Sequence, residues 1–306
     1  MADVTARLGS FADEAARARI LAAYDKAMAF WPEPRGQQDV TTSFGTTRVH
    51  TYGTDPGTAA GAGTRTPVVL LHGQSATPAE WAPHVAALGA DRPVLAVDRV
   101  GEPGYSTQTA PVRTPEDTAN WLEEVLAGLG LERVHLAGHS YGGGVALQHA
   151  AHRPGRVASV TAYEPPRALA PLKAGFVLGA AVSLLSGSDK FQRRWFAGLI
   201  GDTGLDPEEA EAQARLSLEA IRGYRIRLSP PHPMSDDELR SVTAPALILL
   251  GGADRIMDAR RAEERARRLI PGVRTEIVPG AGHGMPVKVL NDRLPAFLRE
   301  VDEKGD

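Results

Sequence analysis

Three stretches of the 306-residue chain are apolar without a break: V-V-L-L at 68–71, V-L-A-V at 94–97 and A-L-I-L-L at 246–250. A strand with one face in water alternates apolar and polar residues. These runs leave no position for a wet face, so they read as strands buried on both sides, as in a mostly parallel sheet held between helices. The longest is far too short to cross a bilayer, for which about 20 residues are needed. R-V-H-L-A-G (133–138), R-V-A-S-V-T-A-Y (156–163) and V-R-T-E-I-V (273–278) continue the series as strands. Segments with helical spacing at 79–90, 115–129, 141–152, 258–270 and 286–301 alternate with them. The helix at 115–129 is announced by Thr114 as N-cap, Pro115 at its first position and Asp117 at its third. Strand–helix repetition of this kind defines an α/β class with helices on both faces of the sheet. Upstream, D-V-T-T-S-F and T-T-R-V-H-T-Y flank Gly45 as a β-hairpin, and G-T-D-P-G-T-A-A-G-A-G-T-R-T (53–66) is a surface loop.

Two segments stand outside this rhythm. Residues 11–31 carry Phe11, Ala15, Ala18, Leu21, Ala22, Met28 and Phe30 at helical spacing, and the helix is ended by Trp31-Pro32 and Pro34. Such a helix can pack on its own core or on a second subunit, so a monomer and a homodimer both fit. Residues 164–240 contain helical stretches near 168–186, 189–200 and 206–228, then S-P-P-H-P at 229–233, and no evident strand. They read as a helical lid inserted over one edge of the sheet. The expected division is an N-terminal helical extension at 1–38, a core at 39–166 and 236–306, and the lid at 167–235.

Composition removes several function classes. The chain has no cysteine, which excludes disulfides, thiolate catalysis and cysteine metal sites. A net charge of −3 offers no basic surface for nucleic acid or an anionic membrane. The N-terminus, M-A-D-V-T-A-R-L-G-S, is charged and lacks the apolar core of a signal peptide, so a soluble cytoplasmic protein is expected.

The chemistry centres on L-A-G-H-S-Y-G-G-G at 136–144, which contains G-x-S-x-G between a strand and a helix. A serine at so tight a turn is thrust out from the sheet edge. Its hydroxyl is a poor nucleophile until a base takes the proton, and the base needs an acid to fix its tautomer. Two later residues fall on the same C-terminal edge in the required order. Asp254 follows the strand at 245–251 in L-L-G-G-A-D-R, and His283 follows the last strand in P-G-A-G-H-G-M. Glu164, at the end of the strand after the serine, is a rival for the acid, and could instead shape the substrate pocket or anchor the lid. The backbone N–H groups of Gln74, in L-L-H-G-Q, and Tyr141 are the candidate oxyanion donors. His72 and His139 are expected to pack rather than react. The remaining histidines lack metal-ligand spacing, so no metal is expected.

These motifs resemble the α/β-hydrolase superfamily, over about residues 40–300. H-G-Q, G-H-S-Y-G, G-G-A-D and G-A-G-H occur in its order. D-R-V-G-E-P-G-Y-S at 98–106 resembles its D-x-x-G-x-G-x-S loop with Glu102-Pro103 inserted, and this variant, with F-W-P-E-P after the first helix, is similar to bacterial carboxylesterases. The resemblance implies an eight-stranded sheet, a helical cap after strand six, no cofactor and a serine acyl-enzyme route. It excludes the branches that place aspartate where Ser140 stands. The expected activity is cleavage of a small-molecule carboxylic ester. A lactonase, a carbon–carbon bond hydrolase, an acyltransferase or a ligand sensor could retain the same site. Trp81, Arg99, Glu164, Phe176, Trp195 and Tyr224 are candidate substrate contacts.

Overall fold

A computed structural model describes residues 8–53, 65–228 and 232–305. Most of the loop at 53–66 and part of the S-P-P-H-P stretch lie outside the described residues. Eight principal strands follow the chain as β1 (Arg35–Thr42), β2 (Gly45–Tyr52), β3 (Val68–Leu71), β4 (Val94–Val97), β5 (Val134–His139), β6 (Val157–Tyr163), β7 (Ala246–Gly251) and β8 (Arg274–Val278). Their order across the sheet is β8-β7-β6-β5-β3-β4-β2-β1, and the short strand Thr107–Gln108 adds to the end of β2. From β8 to β4 every pairing is parallel; β2 joins β4 antiparallel and closes the hairpin with β1. The hairpin turns at Ser43-Phe44, and Gly45, at φ 132°, opens β2 directly after the turn.

The uninterrupted apolar runs are explained by alternation between two cores. Val69, Leu71, Leu95, Val97, Ile248 and Leu250 face one helical layer, and Val68, Leu70, Val94, Ala96, Leu247 and Leu249 face the other. On the first face lie α3 (Pro115–Gly128), α4 (Tyr141–His152) and α9 (Ala259–Leu269); on the second lie α1 (Glu14–Met28), α2 (Ala82–Leu88) and α10 (Val287–Gly305). Each fully buried leucine or valine contributes roughly 1.5–3 kcal/mol of transfer free energy, so a polar residue at any of these positions would be costly. Thr114 caps α3 as expected, and with Asp117 it completes a capping box.

Between β6 and β7 the chain forms α5 (Ala174–Ser186), α6 (Asp189–Ile200), α7 (Pro207–Gly223) and the short α8 (Asp236–Arg240). Two details differ from the sequence reading. Residues 168–173 are not helical: Ala168 and Leu169 lie in a turn closed by Arg167 N–H donating to Ala170 O at 2.8 Å, Leu172 bridges to Met257, and α5 starts only at Ala174. The segment also holds a strand, Tyr224–Arg225, which pairs antiparallel with Ser10–Phe11. Periodicity gives no warning of so short a pairing, because its partner lies more than 200 residues away.

That pairing settles where the N-terminal helix goes. α1 lies along α7 of the same chain, with Ala16 and Ile20 against Gly223 and Arg19 paired to Glu219 at 3.3 Å. Ile20 and Tyr24 are fully buried there, in one cluster with Ala212 and Leu216 of α7. Ile20→Ala removes the centre of this contact and is expected to cost about 2–5 kcal/mol in urea denaturation. A loss below 1 kcal/mol would mean that α1 is not integral to the folded body.

Candidate active site

Ser140 sits between β5 and α4 in a conformation few residues adopt, φ 52° and ψ −117°. The turn holds it there. Its N–H donates to Tyr163 O at 2.9 Å and its carbonyl accepts Gly144 N–H at 3.1 Å. The glycines of G-H-S-Y-G are obligatory because backbone occupies the space of a side chain. A Cβ on Gly138 would lie 2.2 Å from Gly142 O, and one on Gly142 would lie 2.1 Å from Leu71 O. The residue is therefore presented at the N-terminus of a 12-residue helix, where developing negative charge is favoured.

His283 arrives on the loop after β8. Its Nε2 lies 2.9 Å from Ser140 Oγ and its Nδ1 3.4 Å from Asp254 Oδ2. The order serine–histidine–acid anticipated from three distant motifs is thus assembled at the C-terminal ends of β5, β7 and β8. Asp254 is itself fixed: Ile256 N–H donates to Oδ1 at 2.8 Å, and Lys173 Nζ donates to the Asp254 carbonyl at 2.6 Å. The His283 backbone is gripped from the insertion, its N–H donating to Leu199 O at 2.9 Å and that of Gly284 to Ile200 O at 2.9 Å.

Burial pushes the His283 imidazole below its usual range; the bond to Asp254 pulls upward without cancelling this, and the adjacent His139 adds to the fall. The ring therefore favours its neutral form near pH 7. The two neighbouring carboxyls are held apart in charge. Burial pushes up on Asp254, yet the bond and charge of His283 and the N–H of Ile256 keep it below the ordinary carboxylate range. Glu164 goes far the other way: it is fully buried, and desolvation together with the Asp254 charge raises it well above its usual range. One of its oxygens accepts the Gly251 N–H, and no donor is aimed at the other. A carboxylic acid suits that place, because it brings its own proton to share with Asp254. Glu164, Asp254 and His283 each offer an oxygen or nitrogen within 4.8 Å of the others', the geometry of a possible cation site. Asp254 is already engaged by His283 and by the backbone N–H groups of Ile256 and Met257.

The loop of H-G-Q lies against the serine: a Cβ built on Gly73 would be 3.5 Å from Ser140 Cβ. Gln74 follows Gly73 with its side chain exposed, and Tyr141 opens α4. Glu80 links this loop to the strand that carries Ser140 by accepting Gly73 N–H at 3.0 Å and meeting His139 Nδ1 at 3.3 Å. His139 also donates from Nε2 to His283 O at 3.1 Å and stacks on Tyr163 at 4.4 Å, so it packs and ties the serine strand to the histidine loop at once. Glu80 and Lys173 escape a sequence reading. T-P-A-E at 77–80 has the spacing of a capping box, in which the glutamate would turn back to its own helix.

Several candidate substrate contacts need correcting. Arg99 is 4% exposed and ion-paired with buried Glu102. Glu164 lies behind Asp254 with no exposed surface, and Trp81 is equally enclosed, edge-on to Tyr163 at 5.8 Å. None of the three faces solvent-reachable space. Phe176 and Trp195 stack on each other at 5.8 Å and join α5 to α6, while Tyr224 packs edge-on against Phe11 at 5.0 Å. These three pack within the insertion and against the N-terminal segment, and each remains only half-buried.

Residues 68–292 match the alpha/beta hydrolase family model, and the chain belongs to that family. Among its relatives is carboxylesterase YbfK of Bacillus subtilis, 28% identical over 294 residues that cover 92% of this chain and 93% of that protein. The crystal structure of the same carboxylesterase, CesB, superposes with a TM-score of 0.79, at 27% identity, over 93% of this chain and 98% of the other. The naproxen esterase of Bacillus subtilis superposes equally well, with a TM-score of 0.79 at 26% identity and coverage of 94% and 98%.

The environment of His283 makes a prediction independent of any substrate. Because its folded pKa is lowered from 6.5, the ring takes up its proton only at a more acidic pH than a free imidazole. Followed by NMR, the His283 ring should titrate with a midpoint below 6.5, and Asp254→Asn, which removes the group pulling it upward, should lower the midpoint further. A midpoint above 6.5 in the native protein would contradict the dominance of burial.

Proposed function

We propose that the protein is a serine hydrolase that cleaves carboxylic esters through an acyl-enzyme, with Ser140 as nucleophile, His283 as general base and Asp254 as the orienting acid. The observation that carries this reading is the 2.9 Å contact between Ser140 Oγ and His283 Nε2 at a turn built to expose the serine. The carboxylesterase relatives, each matched over most of its length, support the same reaction.

In the proposed sequence Ser140 Oγ attacks the ester carbonyl as its proton passes to His283 Nε2. The oxyanion that forms accepts the N–H groups of Gln74 and Tyr141. His283 then gives the proton to the departing alkoxide, and the alcohol leaves an acyl-serine. Water, deprotonated by His283, attacks the acyl carbon, and the carboxylic acid departs as Ser140 regains its proton. The negative charge of Asp254 stabilises the imidazolium in both halves. The reaction consumes only ester and water.

On this reading α5 to α7 act as a lid on the core, with the divisions 1–38, 39–166 with 236–306, and 167–235. Arg99, the basic residue of the core loops that the sequence singles out, is taken up by Glu102. A small, apolar or moderately polar ester therefore suits the site better than a strongly charged one. No described helix is long and apolar enough to cross a membrane. The absence of cysteine suits a reducing compartment such as the cytoplasm.

A short-chain p-nitrophenyl ester should release a burst of p-nitrophenol equal to the enzyme present, and a fluorophosphonate should label Ser140. Ser140→Ala should abolish both, with turnover falling by about six orders of magnitude. The reading fails if the native protein shows neither burst nor label. Asp254→Asn should cost about 10⁴ in kcat. Glu164→Gln, which imitates the neutral acid, should cost less than about tenfold. A larger loss from Glu164→Gln than from Asp254→Asn would transfer the role of acid to Glu164.

A further inference from the structure

The dipeptide that sets this chain's D-R-V-G-E-P-G-Y-S loop apart, Glu102-Pro103, has no part in the mechanism above. The structure gives Glu102 unusual surroundings. It is 1% exposed, and its carboxylate is divided between two partners. Oε1 meets the guanidinium of Arg99, and Oε2 accepts the Ser75 N–H at 3.1 Å. Ser75 is the residue after Gln74 and has a strained backbone, with φ 58°. The Arg99 guanidinium, on its other side, lies 4.0 Å above the ring of Tyr141. One buried ion pair thus touches the chain next to Gln74 and the side chain of Tyr141.

A third connection runs through His72. Arg99 N–H donates to His72 Nε2 at 3.2 Å, so that nitrogen is an acceptor and the proton must sit on Nδ1, which donates to Gly73 O at 2.8 Å. Burial holds His72 down at about 3, so this neutral tautomer persists through the working pH range. The Arg99 turn is therefore fastened to the H-G-Q loop at Gly73 and at Ser75, on both sides of Gln74.

Stability is a weak reason for such an arrangement. Burying an ion pair costs desolvation that the attraction barely recovers, and an apolar pair of the same size does as well or better. The Nε of Arg99 is buried without a partner, so this pair is not even fully satisfied. We propose that Arg99 and Glu102 form a positioning strut that sets the aim and spacing of the two backbone donors at Gln74 and Tyr141. The proposal rests on the reading of those two N–H groups as the oxyanion hole. A donor that tightens only as charge develops acts on kcat and leaves ground-state binding nearly unchanged.

The test uses the full-length enzyme with a p-nitrophenyl ester and a trifluoromethyl ketone, whose serine adduct carries the oxyanion. Glu102→Ala should lower kcat by about 10- to 100-fold, less than the loss of a whole donor, with KM changed by less than about threefold. The ketone should lose affinity by the same factor as kcat. The double variant Arg99→Met/Glu102→Gln removes both charges without leaving either unpaired, and should fold with native circular dichroism yet remain slow. Full native kcat in the double variant would overturn the strut, because charge compensation alone would then explain the pair. Equal losses in kcat and in 1/KM for Glu102→Ala would overturn it too. A crystal structure of the ketone adduct separates the two levels of the argument. An adduct oxygen about 2.7–3.1 Å from both Gln74 N and Tyr141 N upholds the oxyanion reading whatever the variants do. An oxygen directed elsewhere overturns that reading and the strut with it.

Discussion

The tightest constraint in the molecule is the crowding of backbone against backbone around Ser140. A non-glycine residue at φ 52° costs on the order of 1–3 kcal/mol, and it persists only where its surroundings leave no alternative. Here the surroundings are strands. The Ser140 N–H is taken by Tyr163 at the end of β6, and the Leu71 and His72 carbonyls at the end of β3 stand where a side chain on residue 142 would go. The turn can exist only if β5 lies between β3 and β6, which is the observed order. That order also makes the sheet reverse its winding at β3, since β4 lies on one side and β5 on the other. Ligand sites in open α/β sheets form at such a reversal. The strained serine and the loop beside it are therefore consequences of one topological fact.

Around this point the protein uses carboxyl groups in contrasting states. Asp254 is held below the ordinary carboxylate range by His283 and two backbone N–H groups, while Glu164, a neighbour with poorer partners, is pushed well above it by burial and by the Asp254 charge. Two anions in so small a dry space would repel strongly, so environments that push their pKa values apart are required for both residues to be there. Glu102 is a third buried carboxyl, raised by desolvation but paired with Arg99. The edge of the sheet thus holds several acids without accumulating uncompensated charge, and the imidazole between them remains neutral.

Much of the fold could be read from the chain because its signals are local. A run such as A-L-I-L-L has only one comfortable place, between two apolar layers, and a T-P-E-D start has only one helical meaning. The serine, the histidine and Asp254 were legible for the same reason: each stands directly after a recognisable strand. Pairings across long sequence separations were hidden. The Ser10–Phe11 strand finds Tyr224–Arg225, Lys173 finds the Asp254 carbonyl, and Glu80 ignores its own helix for Gly73. Arg99, Glu164 and Trp81 lie deeper than a substrate contact should for a related reason. Residue type marks Arg99, Glu164 and Trp81 as able to meet a ligand, but only three-dimensional neighbours reveal that each is already occupied by packing or by a partner.

Those distant pairings give the inserted helices a significance that their position in the sequence conceals. The C-terminal end of α6 supplies the carbonyls of Leu199 and Ile200 to the N–H groups of His283 and Gly284, and Thr203 O accepts from Val287 N–H. Gly282 and Gly284 leave no room for a side chain between the two segments, with Leu199 O, Ile200 O and the Ile200 side chain each within 3 Å of where a Cβ would stand. The histidine is thus held as much by the insertion as by β8. α6 touches α7, α7 is braced along its length by α1, and the N-terminal strand closes the far end. A chain of packed elements runs from the N-terminal segment to the imidazole. A displacement of α6 must either carry the His283 backbone with it or break two hydrogen bonds in a buried place. The cost of leaving those N–H groups unpaired, roughly 1–3 kcal/mol each, favours the first outcome. The segment that interrupts the strand–helix rhythm is in this sense part of the framework that locates the His283 imidazole.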